Sequence, residues 1–272
     1  MDRDTPEGIP QGTREGIPEG IADDLQDCVR TLALRSPDHR RVGPFVLRYN
    51  PDWDIPPANY AIPDAGAAPT KAEIDELVAA FRELERVPRL EFQPACAPEL
   101  EPALLAAGFT VERRAPLMAC APGGLREPGP VEGIAFDEPA DDAAYAAAAS
   151  VQNLAYGGTG EANAGAIRWL RTAAAGGGVA GIATDTADGT TVGAGGCSVP
   201  VDGLSELAGL AVAASHRRRG IGGNLSAYLT ATAFARGCRL VWLEPADASI
   251  ERIYAGIGYR RVSEKVDISL AP

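Results

Sequence analysis

A turn rich in arginine and glycine, Arg217-Arg218-Arg219-Gly220-Ile221-Gly222-Gly223, stands between two strongly patterned segments. The preceding segment, Glu206–Ala214, is apolar after its first residue and favours a buried strand. The following segment repeats apolar residues at helical spacing, as at Leu225 and Leu229. A glycine-rich turn from a strand into a helix exposes the first helical N–H groups, and these groups and the helix dipole favour an anion. The sequence therefore predicts an anion site at this turn, with arginine side chains as further donors.

The spacing of the glycines excludes two common phosphate-binding motifs. Gly220 and Gly222 begin a G-x-G-x-x-G pattern, but Leu225 stands where the third glycine is required. The chain contains no Gly-Lys-Ser or Gly-Lys-Thr, which excludes a P-loop. The remaining pattern is Arg-x-x-Gly-x-Gly, carried by Arg217, Gly220 and Gly222. It resembles the acyl-CoA pyrophosphate signature of the GNAT superfamily of N-acetyltransferases.

The resemblance extends over residues 131–269. The elements expected there are, in order, a strand, two helices, a hairpin, a long strand, the turn, a helix, a strand, a helix and a strand. The segment Ser249–Tyr259 is similar to the family's Leu-Tyr-x-x-x-Gly-Phe element. The resemblance implies an α/β (α+β) fold, the GNAT fold, in which a mixed central sheet is flanked by helices.

An earlier part of the chain resembles a second, weaker copy of the same pattern. Two pairs of segments align at one offset of 150 residues: Arg89–Phe92 with Arg239–Trp242, and Gly108-Phe109 with Gly258-Tyr259. Residues 40–120 resemble the later half of a degenerate GNAT domain, which predicts two GNAT-like lobes. Leu104 stands opposite Tyr254, so the first copy is expected to repeat the fold without the chemistry. The alternative is that both copies are generic strand–helix–glycine–strand units.

Composition divides the chain into four predicted segments. A Glu-Gly-Ile-Pro repeat predicts a flexible arm, and a Pro- and Gly-rich stretch predicts a linker. The segments are the arm (1–20), a degenerate GNAT-like domain (21–120), the linker (121–130) and a catalytic GNAT domain (131–272).

The resemblance implies a proton donor and a base. Tyr254 matches the family tyrosine that protonates the departing CoA thiolate, and its alternative role is that of a core tyrosine. Glu206 stands where family members often use a carboxylate, acting through water, to deprotonate the amine. Its alternative role is that of a solvated glutamate at a strand edge. Glu244 and Asp247 are rival carboxylates, and Asp247 also departs from the asparagine with which many family members contact CoA.

The resemblance also implies where acetyl-CoA binds. Backbone groups of Leu210, Ala211 and Val212 are expected to pair with the pantetheine. The pyrophosphate is expected to bind the turn, mainly through its backbone; its residues are Arg217, Arg218, Arg219, Gly220, Ile221, Gly222 and Gly223. Tyr145, Tyr156 and Trp169 lie in the two helices that shape the acceptor pocket in the family, although ordinary helix packing accounts better for each one taken alone.

Charge and cysteine usage limit the partners. A net charge of −12 repels nucleic-acid phosphates and attracts amines. Five cysteines without a C-x-x-C pair and only two histidines argue against a metal site. Nothing places Cys197 and His216 together as a nucleophile pair. The chain shows no basic leader and no apolar stretch of spanning length, which predicts a cytoplasmic protein that does not enter a membrane.

The predicted function is transfer of an acetyl group from acetyl-CoA to a primary amine by direct attack. The amine is expected to belong to a small molecule or a peptide, and a homodimer is left open. Two alternatives remain: a non-catalytic acyl-CoA-binding sensor or scaffold, and a protein or peptide N-acetyltransferase.

Overall fold

The computed structural model describes residues 16–51 and 54–271, which divide into two compact units. Residues 1–15 of the predicted arm therefore lie outside the described residues. The turn unit, named for the Arg/Gly turn that it contains, comprises Ala119–Trp242, Arg252–Arg260 and the described residues before Ala22. The N-terminal unit comprises Ala22–Met118, Leu243–Glu251 and the residues from Arg261 on.

The described chain contains both helices and strands. In chain order they are α1 (Ile21–Arg35), β1 (His39–Val42), β2 (Phe45–Arg48), β3 (Tyr60–Pro63), α2 (Lys71–Glu83), β4 (Arg89–Phe92), α3 (Leu100–Ala106), β5 (Thr110–Cys120), β6 (Ile134–Asp137), α4 (Asp142–Ala155), α5 (Ala164–Ala175), β7 (Val179–Asp185), β8 (Thr191–Cys197), β9 (Leu204–Val212), α6 (Ile221–Ala235), β10 (Leu240–Leu243), α7 (Ala248–Gly256) and β11 (Arg260–Ser269). No helix among the described residues is both long enough and apolar enough to cross a membrane.

The N-terminal unit is built around β4. Its strands follow the order β1-β2-β3-β4-β11-β5, and β4 pairs with β3 in parallel and with β11 in antiparallel register. Helix α2 begins at a capping box: the Thr70 N–H donates to Glu73 Oε2 at 2.8 Å, and the Glu73 N–H donates to Thr70 Oγ1 at 3.3 Å. The apolar face of α2 is buried in a core that also contains Val266 and Ile268 of β11.

A network of charged side chains is also buried in the N-terminal unit. The side chain of Arg89 is 4% exposed; it lies 2.9 Å from Glu112 and 3.2 Å from Asp267, and it also pairs with Glu91. Lys265 Nζ lies 2.5 Å from Glu91 and 3.1 Å from Asp267. Because a buried charge is costly without its partner, these pairs favour a single register of β4, β5 and β11.

The turn unit contains a mixed sheet. Its strands follow the order β10-β9-β8-β7-β6, in which β10 and β9 are parallel and the other neighbours are antiparallel. Glycines let helices approach both faces: a Cβ on Gly195 would lie 3.2 Å from Leu229 of α6, and a Cβ on the adjacent Gly196 would lie 3.1 Å from Trp169 of α5. The predicted fold class, a mixed sheet flanked by helices, is confirmed.

The two aligned segments share one local hydrogen-bond pattern. The Leu104 carbonyl accepts the Phe109 N–H at 3.0 Å, and the Tyr254 carbonyl accepts the Tyr259 N–H at 3.0 Å. The glycine before each aromatic residue has a positive φ, +91° at Gly108 and +106° in the second segment. The shared pattern agrees with a repeat, while duplication of a whole domain stays a prediction.

The predicted boundaries between the two domains, at residues 120 and 131, imply that each domain folds independently, and this stays a prediction. The compact units differ from those boundaries, because Leu243–Glu251 and the residues from Arg261 on group with the N-terminal unit. The segment predicted as a linker is tied to the turn unit, since the Arg126 N–H donates to the Ile257 carbonyl at 3.0 Å.

Candidate active site

The Arg/Gly turn leads into α6, as predicted, but β9 ends at Val212 and a short 3₁₀ turn (Ala214–His216) separates it from Arg217. Gly220 precedes the helix with a φ of +83°, a left-handed conformation that favours glycine. Because Gly220 has no side chain, it makes no side-chain cap to the first N–H groups of α6, those of Ile221, Gly222 and Gly223. The helix therefore presents a partial positive charge at this end.

Two glycines in the first turn of α6 are not required by packing. A Cβ on Gly222 would lie 3.8 Å from its nearest neighbour, Val212 Cγ2, which is ordinary contact. A Cβ on Gly223 would lie 3.4 Å from Ile253 Cγ2. A helical glycine costs about 1 kcal/mol relative to alanine. The two glycines keep the surface over the helical N–H groups clear of Cβ atoms, as a backbone-bound anion requires.

The three arginines of the turn have different roles. Arg217 Nε donates to the Val212 carbonyl at 3.1 Å, and Arg219 Nη2 donates to the Glu132 carbonyl at 3.2 Å. Arg218 has a φ of +64°, and within the described part of the chain its exposed side chain makes no hydrogen bond or ion pair. Arg217 and Arg219 thus brace the turn, and Arg218 is the side chain left for a ligand.

His216 supports the base of the turn. Its Nε2 lies 3.1 Å from Asp185 Oδ2, and its Nδ1 lies 2.8 Å from Ser215 Oγ. The Ala187 N–H and, next, the contact with His216 hold the pKa of Asp185 below its usual value. Cys197 is buried elsewhere, and its thiol donates to the Leu229 carbonyl at 3.7 Å. The structure therefore does not bring His216 and Cys197 together.

One edge of β9 has no strand partner in β10 beyond Glu206. Pairing with β10 covers Leu204, Ser205 and Glu206 and ends at the Trp242–Glu206 pair. The other edge pairs with β8, where one residue, between Ala194 and Gly196, stands opposite two residues, between Ala208 and Ala211. This extra residue is a β-bulge, and Gly209 within it has a φ of +66°.

Side-chain donors form hydrogen bonds with several backbone carbonyl groups of β9, at this bulge and beyond it. Gln152 Nε2 donates to the Gly209 carbonyl at 2.7 Å, and the Tyr156 hydroxyl donates to the Leu210 carbonyl at 3.2 Å. Arg217 donates to the Val212 carbonyl, and the backbone of Ala211 pairs with β8. Because the N–H and C=O of one strand residue point the same way, the N–H groups of Leu210 and Val212 are the groups that remain for a ligand at this edge.

The sequence analysis did not identify Gln152, whose amide binds the Gly209 carbonyl, as a residue of the site. Gln152 lies in an alanine-rich helix, 57 residues before its partner Gly209, and no local pattern marks such a contact. Of the aromatic residues named for the acceptor pocket, Tyr145 lies under the guanidinium of Arg171 at 4.8 Å, and Trp169 packs on Gly196. Their contacts fit ordinary packing, whereas Tyr156 reaches the backbone of β9.

Tyr254 lies in α7, buried against other residues of the turn unit. Its ring centroid lies 5.8 Å from that of Tyr259, and 6% of its surface is exposed. Burial and, to a lesser degree, the neighbouring phenol of Tyr156 raise the pKa of Tyr254 to about 12, against an opposing effect of the Ser226 hydroxyl. The phenol is therefore protonated at neutral pH.

Glu206 is half-buried in β9, at the point where pairing with β10 ends. Its backbone is anchored to Ser198: the Glu206 N–H donates to Ser198 Oγ at 2.9 Å, and the Glu206 carbonyl accepts the Ser198 N–H at 2.8 Å. In parallel pairing, the side chains of Glu206 and Trp242 leave the same face of the sheet.

The rival carboxylates belong to the N-terminal unit and have structural partners there. Glu244 lies 2.6 Å from Lys265 Nζ and also pairs with Arg113. Asp247 Oδ1 accepts the N–H groups of Ser249 at 2.7 Å and of Ile250 at 3.0 Å. Asp247 thus caps the first turn of α7, which gives a structural reason for a carboxylate at this position.

Comparison with known proteins gives one family and several similar folds. Residues 145–259 match the model of the acetyltransferase (GNAT) family. None of the curated proteins compared matches the chain. A GCN5-related N-acetyltransferase from Kribbella flavida is 27% identical, with a TM-score of 0.78 over 93% of this chain and 96% of its own.

Two further solved structures agree in fold. One is a GCN5-related N-acetyltransferase from Sphaerobacter thermophilus, 20% identical, with a TM-score of 0.55 over 73% of this chain and 66% of its own. The other is a tandem GNAT protein from the clavulanic acid biosynthesis pathway, 14% identical, with a TM-score of 0.57 over 96% of this chain and 91% of its own. By the family match, residues 145–259 form a GNAT acetyltransferase family domain.

Proposed function

We propose that this protein is an N-acetyltransferase that transfers an acetyl group from acetyl-CoA to a primary amine by direct attack. One observation carries the proposal: α6 begins with uncapped N–H groups under two glycines whose missing Cβ atoms leave room for an anion. A diphosphate fits this end of the helix in charge and in hydrogen bonding.

The residues proposed to bind acetyl-CoA lie on β9 and the turn. The backbone of Gly220–Gly223 would bind the pyrophosphate, with the Arg218 side chain as an additional donor. The N–H groups of Leu210 and Val212 would pair with the pantetheine and the thioester carbonyl. The carbonyl groups of both residues already accept side-chain donors, so the proposed pairing relies on the N–H groups.

Acetyl-CoA would supply the acetyl group as a thioester. Glu206 is proposed to accept the amine proton through a water molecule, while the amine nitrogen bonds to the acetyl carbon and the carbon–sulfur bond breaks. Tyr254 is proposed to donate a proton to the departing sulfur and to regain one from solvent, to which Glu206 releases the amine proton, so that the products are an amide and the CoA thiol. An ordinary thiol has a pKa of about 8.5. Because the pKa of Tyr254 is higher, the phenol serves first as a hydrogen-bond donor to the developing thiolate.

The acceptor is proposed to be the primary amine of a small molecule or a peptide. The net charge of −12 favours cationic partners over nucleic acids. A screen of CoA thiol release with acetyl-CoA against amino acids, polyamines, aminoglycosides and short peptides would identify the class. Binding of acetyl-CoA without thiol release from any of these amines would support a non-catalytic acyl-CoA-binding protein instead.

Gly220→Asp tests the proposed pyrophosphate site. A carboxylate at the start of α6 is compatible with helix capping, but it would repel a diphosphate, and we expect acetyl-CoA affinity to fall about tenfold or more. Calorimetric titration of acetyl-CoA into the wild type and the variant measures this change.

Gly237→Asp is the matched control. Gly237 follows the other end of α6 and also has a positive φ (+92°), and a Cβ added to it would meet no atom within 4 Å. The same substitution there should leave acetyl-CoA affinity unchanged. Equal affinities for both variants and the wild type would remove the basis of the proposal.

A further inference from the structure

Gln152 is a buried amide whose contact lies at the proposed reaction site. Its side chain extends from α4, the residue is 5% exposed, and Nε2 donates to the Gly209 carbonyl at 2.7 Å. A Cβ on Gly209 would lie 2.5 Å from this nitrogen, so the contact requires glycine at the bulge. The positive φ of Gly209 requires glycine for an independent reason.

The Gly209 carbonyl shares one peptide group with the Leu210 N–H. No peptide bond among the described residues is cis, so this N–H points opposite to the carbonyl that Gln152 contacts. A hydrogen bond to the carbonyl of a peptide group polarises the N–H of the same group and strengthens it as a donor. Neither Gly209 nor Leu210 has a Cα partner in β8, so this peptide group lies outside the regular ladder.

We propose that Gln152 is a positioning residue, which orients and polarises the Leu210 N–H as a donor to the thioester carbonyl of acetyl-CoA. The inference rests on the proposed function, because it needs acetyl-CoA bound along β9. It adds a residue of α4 to a site otherwise formed by β9, the turn and α7. Gln152 acts only through the backbone and does not contact the substrate.

The carbonyl stretch of bound acetyl-CoA tests this inference without turnover. Infrared difference spectra with acetyl-CoA labelled with ¹³C at the acetyl carbonyl should show a shift to lower frequency on binding to the wild type. Gln152→Leu should bind acetyl-CoA with an affinity within about twofold of the wild type and lose most of this shift, because the donor is no longer polarised. With an amine substrate, kcat should fall about tenfold to a hundredfold while the KM for acetyl-CoA changes little.

Gln26→Leu is the matched control for loss of a buried amide. Gln26 is also 5% exposed, and its Oε1 accepts the Gln93 N–H at 3.0 Å in the N-terminal unit. This variant should lose stability, yet keep the infrared shift and kcat. An equal loss of shift in both variants would mean that Gln152 acts only through general stability, which overturns the inference.

Gln152→Glu provides a second measurement with a pH signature. The ionised carboxylate cannot donate to the Gly209 carbonyl, whereas the protonated acid can, so the infrared shift should return as the pH falls. A shift independent of pH in this variant overturns the inference. Binding to the wild type without any carbonyl shift overturns it too and leaves the proposed cofactor site standing, whereas failure of acetyl-CoA to bind the wild type overturns both.

Discussion

Tyr254 and Leu104 hold equivalent places in two copies of one hydrogen-bond pattern, and only Tyr254 carries a polar atom in its side chain. Both side chains are buried, so packing alone would accept an apolar residue at either place. Burial costs a hydroxyl group free energy unless it finds a partner. The Ser226 hydroxyl is such a partner for Tyr254, so the proposed chemical role of the phenol rests on its match to the family element and not on a cost of burial.

Replacing Tyr254 with phenylalanine removes the proposed proton donor. We expect kcat for CoA release to fall about a hundredfold, because general acid catalysis contributes on that order. The acetyl-CoA dissociation constant should stay unchanged, since the phenol is proposed to act on the departing sulfur. Steady-state kinetics and calorimetric titration measure the two quantities.

Tyr259→Phe is the control for this prediction. The Tyr259 hydroxyl lies 2.6 Å from Thr230 Oγ1 in the core, so its loss should lower stability and leave kcat unchanged. Equal kcat values for Tyr254→Phe and the wild type would exclude Tyr254 as the donor.

The pKa of Tyr254 also predicts a change of stability at alkaline pH. The pKa is raised to about 12 in the folded chain, whereas an unfolded tyrosine titrates near 10. The folded state therefore holds this proton more tightly, and the resulting stability is present below pH 10 and is lost as the pH rises towards 12. Urea unfolding at pH 8 and pH 11 should show a smaller alkaline loss for Tyr254→Phe than for the wild type; an identical loss in both would contradict the assignment.

At the scale of elements, the bulge in β9 links α4 to the open edge of the strand. Gly209 permits the left-handed backbone conformation. Gln152 donates a hydrogen bond to the Gly209 carbonyl, which the bulge leaves outside the regular pairing with β8. The arrangement also ends the regular pairing with β8 at Ala208 and resumes it at Ala211.

Gly209→Ala should destabilise the protein by about 3 kcal/mol, because a Cβ would meet both the unfavourable φ and the Gln152 amide. Gly237→Ala meets only the φ penalty and should cost about 1 kcal/mol. Urea unfolding of both variants measures the difference. Equal destabilisation would show that Gln152 moves aside freely and does not hold the bulge.

At the scale of the whole molecule, each compact unit is assembled from separate stretches of the chain. The core of the N-terminal unit includes Val266 and Ile268 of β11, both fully buried, and β11 pairs with β4 through them. A fragment that stops at residue 120 therefore lacks part of its own core and a strand partner.

Residues 21–120 expressed alone should not fold stably. Without β11, the apolar faces of Leu90 and Phe92 and the edge of β4 would be exposed. Circular dichroism and two-dimensional NMR of the fragment, against the full chain as control, measure its folding. A cooperatively unfolding fragment with dispersed amide signals would instead support the boundaries predicted from composition.

The sequence alone determined the features whose cause lies within a few neighbouring residues. Examples are the capping box at Thr70 and Glu73, the glycine at position 220 and the hairpin turn before β8. A short contiguous sequence pattern specifies each of them, because the hydrogen bonds join residues that are close in the chain. The resemblance carried by the Arg/Gly turn added the fold class, which the structure confirmed.

Only the tertiary structure decided the contacts between distant residues. Three examples are the hydrogen bond from Gln152 to the Gly209 carbonyl, the ion pair of Lys265 with Glu91, and the packing of β11 in the N-terminal unit. Each of them brings together positions that are far apart in the chain. Such contacts depend on how strands pair and helices pack. Since one residue can meet many alternative partners at long range, no local pattern specifies which one it will contact.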